Sequence, residues 1–177
     1  RVTAKSAEEK PYRRPVSAQD TALTGNLDAL KDRFIELMDR SVKSQMVSDV
    51  PLGSFLSGGV DSSLVTALMV RNSSRRVQTF SIGFEKSTGV DESGYARRAA
   101  QHLGTEHHEF MLTDKDLLQT DRIFNTMVEP VADPTILPTS ILARFARERV
   151  KVVLTGEGGD ELFAGYNRYK AAAYSQI

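Results

Sequence analysis

The sequence has no cysteine, which excludes a disulfide framework, a thiolate zinc site and a cysteine nucleophile within this chain. It has no excess of either charge: 23 basic and 23 acidic side chains cancel, so nothing in the balance points to nucleic acid or to an anionic membrane surface as a partner. No apolar run approaches the roughly 20 residues of a membrane span. No basic, apolar, small-residue signal opens the chain, and the expectation is a soluble, cytoplasmic protein. No methionine opens it either, and it stops at Ile177 soon after a segment rich in glycine and aromatics, so it reads as a piece of something longer. What it does have is 177 residues, 40% of them hydrophobic, enough for one domain with a real core and too few for two.

Residues 1–26 are polar, carry Pro11 and Pro15 and show no apolar period, as expected of a linker or trimmed terminus. The domain proper is expected over 27–177. From Leu27 the apolar positions Leu30, Phe34, Leu37, Met38, Val42 and Met46 fall at three- and four-residue steps behind Asn26 as N-cap, predicting a long amphipathic helix. Four short apolar runs follow, Leu52–Leu56, Val77–Phe84, His108–Leu112 and Val150–Leu154, and read as strands. Between them, Ser62 to Val70, Ser93 to Leu103 with Gly104 as stop, and Pro138 to Arg149 read as helices. Thr113 with Asp116 resembles a capping box opening a further helix through Met127. Strands alternating with such helices pair in parallel, so the predicted fold is α/β, a doubly wound parallel sheet flanked by helices. In such sheets ligands bind beyond the carboxyl ends of the strands.

Two loops rich in glycine and aspartate stand at that position. The first, Ser57-Gly58-Gly59-Val60-Asp61-Ser62-Ser63, leaves the first core strand and opens a helix. Glycines let backbone amides turn toward a ligand, the helix start adds free N–H groups, and three serine hydroxyls add donors, so the loop is an anion cradle. Asp61 is the informative member. A carboxylate beside a phosphate is repulsive unless a divalent cation stands between them, so Asp61 reads as a Mg²⁺ ligand. The loop is neither a P-loop, which needs a lysine after its last glycine, nor a dinucleotide fingerprint, which needs a third glycine. A plain strand-to-helix turn with Asp61 as a cap is the alternative. The second loop, Thr155-Gly156-Glu157-Gly158-Gly159-Asp160-Glu161, precedes Leu162-Phe163-Ala164-Gly165-Tyr166. Its acids repel one another unless a cation or an ammonium-bearing ligand compensates; a solvated acidic turn is the alternative.

The first loop resembles the pyrophosphate-binding SGGxDS loop of the N-type ATP pyrophosphatases. SGGVDSS and TGEGGDELFAGY, joined by the stretch from Asp91 to Glu109 and by ADPTILPTS from Ala132 to Ser140, together resemble the C-terminal synthetase domain of the glutamine-hydrolysing asparagine synthetase family, over about Leu27 to Tyr169. The resemblance implies an adenine nucleotide alpha hydrolase-like fold and an AMP-forming ligase that uses ATP and Mg²⁺. Aspartate would be activated as β-aspartyl-AMP, and ammonia would displace AMP to give asparagine. Ammonia would come from glutamine through an N-terminal glutaminase domain with a cysteine nucleophile, absent from this chain. The resemblance further implies that Ser57, Gly58, Gly59, Ser62 and Ser63 hold pyrophosphate and that Asp61 and Asp160 ligate Mg²⁺. The backbone near Leu56, Ile82 and Gly156 would read adenine and ribose, with Thr155 in the same ATP-binding set. Glu157 would position the substrate or deprotonate the attacking ammonium, a task suited to a carboxylate raised toward neutrality by burial. Asp61, Glu157 and Asp160 are thus the candidate catalytic residues.

Other residues invite a role that their pattern does not support. His102, His107 and His108 lack metal-ligand spacing, and the adjacent pair on a strand faces opposite sides, so they read as structural. Arg97 and Arg98 read as a solvated helix face, with a reach to phosphate as the alternative. Phe163, Tyr166 and Tyr169 read as packing, with Tyr166 a candidate border of the substrate, and Asp133 to Thr139 as a candidate wall of the aspartate pocket. Rival readings are another amide-forming synthetase, of the β-lactam synthetase or lasso-peptide cyclase type, or a non-catalytic ATP-binding module. The intact Asp61, Glu157 and Asp160 argue against the second. The fragment alone is expected to hold MgATP without completing amide formation.

Overall fold

The computed structural model describes residues 2–3, 6–7, 26–84, 91–118, 123, 125, 127–129 and 133–174. The chain divides into two compact units, residues 1–35 and 36–177. In the first, β1 (Val2–Thr3) pairs antiparallel with β2 (Ser6–Ala7), a ladder in the polar stretch for which no structure was expected. Helix α1 (Leu27–Gln45) begins as expected at Asn26, whose Oδ1 accepts the Asp28 amide at 3.1 Å.

The second unit holds the sheet. Its strands are β3 (Leu52–Phe55), β4 (Gln78–Phe84), β5 (Glu106–Leu112) and β6 (Val152–Leu154). All pair in parallel, in the order β5-β4-β3-β6. The connecting helices are α2 (Val60–Asn72), α3 (Ser93–Leu103), α4 (Asp114–Leu117) and α5 (Ile136–Ala146); α6 (Gly159–Phe163) and α7 (Asn167–Tyr174) follow β6. Strand β5 starts earlier than its apolar run because Glu106 and His107 complete the ladder opposite Gln78 and Thr79. The expected capping box forms: Asp116 Oδ2 accepts the Thr113 amide at 2.9 Å and its hydroxyl at 2.6 Å. The stretch of that expected helix beyond Leu118 lies largely outside the described residues.

Side-chain alternation decides which helix covers which face. Leu52 and Leu154 pack with Val42, Leu68, Met69 and Val77, joined by Met38 from α1, Met46 just beyond it, and Leu64 and Val65 from α2. On the opposite face Phe55, Phe80 and Val153 pack with Leu142, Phe145, Ala146 and Val150 at α5. Phe80 and Met69 are fully buried, each contributing about 1.5–3 kcal/mol of transfer free energy. Gly53 is required here, since a Cβ would stand 2.8 Å from the Phe80 ring and 2.9 Å from the Gln78 carbonyl. His107 and His108 do face opposite sides. His107 meets Thr79 and Ser81 on the α3 side, while His108 stacks on Phe80 with ring centroids 5.2 Å apart on the α5 side.

Strand order locates the ligand-binding end of the sheet. From β3 the chain steps to β4 and β5 on one side, then returns to place β6 on the other. The switch therefore falls between β3 and β6, and the loops that leave their carboxyl ends diverge there to open a crevice.

Candidate active site

Both glycine-rich loops border that crevice. A cleft of about 590 Å³ is lined by Leu56, Ser57, Gly59, Asp61, Ser62, Ile82, Thr155, Gly156, Glu157 and Asp160 among others. Of the residues expected to hold ATP or metal or to act in catalysis, Gly58 and Ser63 alone are not on its wall. Both serve the loop instead. Gly58 holds φ +83°, and a Cβ there would run into the backbone of Tyr95 and Ala96, so the turn fits only without a side chain. The Ser63 amide donates to the Gly59 carbonyl at 3.0 Å and closes the first turn of α2.

The start of α2 carries no side-chain cap. The amides of a helix's first turn have no partner within the helix, so an uncapped start favours an anionic ligand there. The expected serine donors are turned inward in this structure. Ser57 and Ser62 share a hydroxyl contact at 3.0 Å, Ser57 Oγ accepts the Gly59 amide at 3.2 Å, and Ser62 Oγ reaches the Gly59 carbonyl at 3.3 Å. They preform the turn while remaining on the cleft wall. The Leu56 amide donates to the Phe80 carbonyl at 2.9 Å, so this group is not open to a ligand.

The second loop presses its glycines onto the first. A Cβ on Gly156 would stand 2.6 Å from the Ser62 amide nitrogen and 2.9 Å from the Asp61 carbonyl carbon. At Gly159 it would fall on the Asp61 carboxylate itself. Asp61, nearly a hundred residues upstream, is thereby placed one residue from Asp160. The Asp160 carboxylate lies against Gly165 in this structure. Behind the loop a second cavity of about 360 Å³ is lined by Val42, Leu64, Val65, Leu162 and the same Thr155 to Gly159 segment. The loop is thus a partition with space on either side, and its seat depends on contact with α2.

Glu157 stands exposed on the cleft wall. The burial expected for this residue is not found. Arg97 lies on the exposed helix face read for it, and its Nε and Nη2 donate to Glu109 on the sheet at 3.1 and 3.0 Å. The Arg98 guanidinium sits 4.6 Å from the Tyr95 ring centroid. From the 133–139 stretch, Thr139 lines the cleft, whereas Asp133 caps Thr135 with two bonds of 2.8 Å that hold its carboxyl below the ordinary range.

The cleft wall also holds residues to which no site role was given from the sequence: Ser81, Phe84, Glu92, Ala96, Leu142 and Glu161. Tyr166 lines the cleft and donates its phenol proton to Glu161 at 2.7 Å. That bond pushes the phenol up to about 12 and holds the Glu161 carboxyl low. Glu92 is the N-cap residue of α3 and Ala96 lies in its first turn, both within the Asp91 to Glu109 stretch that joins the two loops.

A divalent ion fits part of this donor set. Among the described residues no three His, Cys, Asp or Glu side chains converge as a metal cage. Mg²⁺ needs no such cage, since it keeps several waters and takes one or two carboxylates together with phosphate oxygens. Asp61 and Asp160 beside an uncapped helix start match that pattern.

Residues 33–176 match the asparagine synthase family. The chain is 39% identical over 157 residues to a putative glutamine-hydrolysing asparagine synthetase of Mycobacterium bovis, covering 88% of this chain and 24% of that protein. It is 36% identical over 159 residues to glutamine-hydrolysing asparagine synthetase 1 of Bacillus subtilis, covering 89% and 24%. It spans about a quarter of the length of these relatives. Its fold is similar to that of an ammonia-dependent NAD synthetase from Campylobacter jejuni, with TM-score 0.52, 19% identity, and coverage of 77% of this chain and 60% of that one. That likeness bears out the expected parallel sheet flanked by helices, of the adenine nucleotide alpha hydrolase-like kind. With its matched span covering most of the residues, the chain belongs to the asparagine synthase family.

Proposed function

We propose that this chain is the ATP-binding and adenylating part of an amide synthetase that makes asparagine from aspartate and ammonia, with ammonia released from glutamine by a separate glutaminase domain. The observation that carries the reading is the seating of Asp61 against Gly159, between an uncapped helix start and the Glu157-Gly158-Gly159-Asp160 segment, inside one cleft. Asp61 and Asp160 are assigned to Mg²⁺, and the turn from Ser57 to Ser63 to the β and γ phosphates. When bound, Mg²⁺ offsets the charge on the pyrophosphate leaving group.

With the pyrophosphate end held at α2, the α-phosphorus faces the Glu157 side of the cleft. A carboxylate oxygen of aspartate attacks it, the bond to the bridging oxygen breaks, and pyrophosphate leaves. Ammonia nitrogen then forms a bond to the acyl carbon while the bond from that carbon to the phosphorus-linked oxygen breaks, and AMP departs with the oxygen that had attacked phosphorus. Glu157 is assigned to take the proton that the nitrogen must lose, a role for which an exposed carboxylate has ready exchange with solvent. Ile82, Thr155 and Gly156 border the adenosine end.

The test is exchange of labelled pyrophosphate into ATP by the longest natural polypeptide that contains the chain. Exchange that requires aspartate and Mg²⁺ supports reversible formation of an acyl-adenylate. Exchange that requires a different carboxylic acid would keep the adenylation chemistry and replace the substrate. No exchange with any acid, in a protein that binds MgATP, would overturn the catalytic reading in favour of a binding module.

A further inference from the structure

Ser54 and Thr66 are both fully buried, and neither lines the cleft. Ser54 lies on β3 on the α2 side of the sheet, and Thr66 on α2, one turn beyond Ser62. Their hydroxyls are 3.0 Å apart. Thr66 Oγ1 donates to the Ser62 carbonyl at 2.8 Å, and a carbonyl can only accept. With that proton committed, Thr66 accepts from Ser54, whose own proton also faces the Leu154 and Phe55 carbonyls, each at 3.3 Å. The contacts run from Ser54 on strand β3 through Thr66 on the helix to Ser62 in its first turn, with Leu154 at the carboxyl end of β6 beside Ser54.

We infer that Ser54 and Thr66 are positioning residues that set how far along its axis α2 sits relative to the switch point, and so where its first turn meets pyrophosphate. Leu68, Met69 and Val65 hold α2 on the sheet by apolar contact, which is non-directional and tolerates a small axial slide. The directional Ser54–Thr66 hydrogen bond, which ties strand to helix in a dry interior, does not. The tolerance at the far end is small, because the Ser62 amide already stands where a Cβ on Gly156 would be 2.6 Å away. A slide of a few tenths of an ångström therefore moves the anion-facing amides and the second loop together. The inference rests on the proposed nucleotide reading of the site.

The test separates packing from position with two substitutions at one site. Thr66→Val keeps the β-branched shape and loses the hydroxyl; Thr66→Ser keeps the hydroxyl and loses the methyl. Binding of inorganic pyrophosphate with Mg²⁺ to the full chain is measured by calorimetry beside melting temperature, with Ser54→Ala as a second removal of the pair. Thr66→Val and Ser54→Ala are expected to weaken pyrophosphate about tenfold, while Thr66→Ser stays within about twofold of the parent although it melts lower. Affinity that instead follows melting temperature, or that is unchanged in Thr66→Val, would overturn the inference and leave the pair merely structural. Failure of the unsubstituted chain to bind pyrophosphate or MgATP at all would overturn the nucleotide reading itself and the inference with it.

Discussion

The Asp61 carboxylate rests against the backbone of Gly159, in the space that any side chain at residue 159 would occupy. The contact joins the two glycine-rich loops through the one carboxylate assigned to a metal from the first of them. Gly159→Ala would push aside only the end of the Asp61 side chain, which can rotate, so the melting temperature is expected to change little. MgATP affinity, read by calorimetry, is expected to fall at least about tenfold as Asp61 leaves its seat. Unchanged affinity would mean that the position of Asp61 does not matter.

Gly156→Ala makes the contrast. Its Cβ would meet backbone rather than a side-chain end, 2.6 Å from the Ser62 amide and 2.9 Å from the Asp61 carbonyl carbon. Backbone cannot rotate out of the way, so overpacking of about 1–3 kcal/mol is expected together with the loss of affinity. Chemical denaturation of the two variants side by side should separate them, with only Gly156→Ala shifting the midpoint substantially.

Much of this arrangement was legible in the sequence, and the exceptions have physical reasons. Strand β4 differs from its apolar run by one residue at one end, and α3 matches its expected bounds, because a strict period and Gly104 as a left-handed stop mark them. The paired loops were legible because their spacing along an alternating strand and helix pattern fixes which sheet edge they share. Glu106 at the start of β5 was not, since an exposed strand end carries no apolar signal. Helices α6 and α7 follow a run of glycines whose composition reads as loop. Ser54 on β3 carries no apolar signal, and its burial is accommodated by the Thr66 hydroxyl opposite it. The exposure of Glu157 contradicted an inference from chemistry to burial that no local pattern supported.

Arg97 supplies a prediction of no effect. Its guanidinium is held by two bonds to Glu109, and its side chain remains 63% exposed. Arg97→Ala is expected to leave MgATP affinity within about twofold and to cost no more than about 1 kcal/mol of stability, the scale of a surface ion pair. A large loss of affinity would favour the alternative, a reach of Arg97 to phosphate.

The histidines give stability a pH dependence. Burial first of all holds His107 below the ordinary 6.5, and the same is true of His108. Thr79 and Ser81 bond the two ring nitrogens of His107, with Glu109 and Arg97 facing it as well. With the folded value depressed, the unfolded chain binds more protons just below 6.5, so stability rises with pH through that window. Stability should be at its plateau above pH 6.5 and fall between about pH 6.5 and 5.5, where ordinary carboxylates have not yet titrated. Melting temperatures across that range check it, and His107→Gln is expected to flatten part of the slope. A stability that rises on acidification would show that the folded histidines hold their protons more tightly than the unfolded ones, the opposite of the effect of burial.

On the proposed reading the paired loops split ATP between its α and β phosphates to drive amide formation. Incubating the longest natural polypeptide containing the chain with MgATP, aspartate and ammonium, beside an Asp61→Ala control, and identifying products by ³¹P NMR and mass spectrometry tests this cleavage. The expected products are AMP, pyrophosphate and asparagine in equal amounts, with all three reduced by at least about a hundredfold in the control. ADP and phosphate as the nucleotide products would contradict the claim.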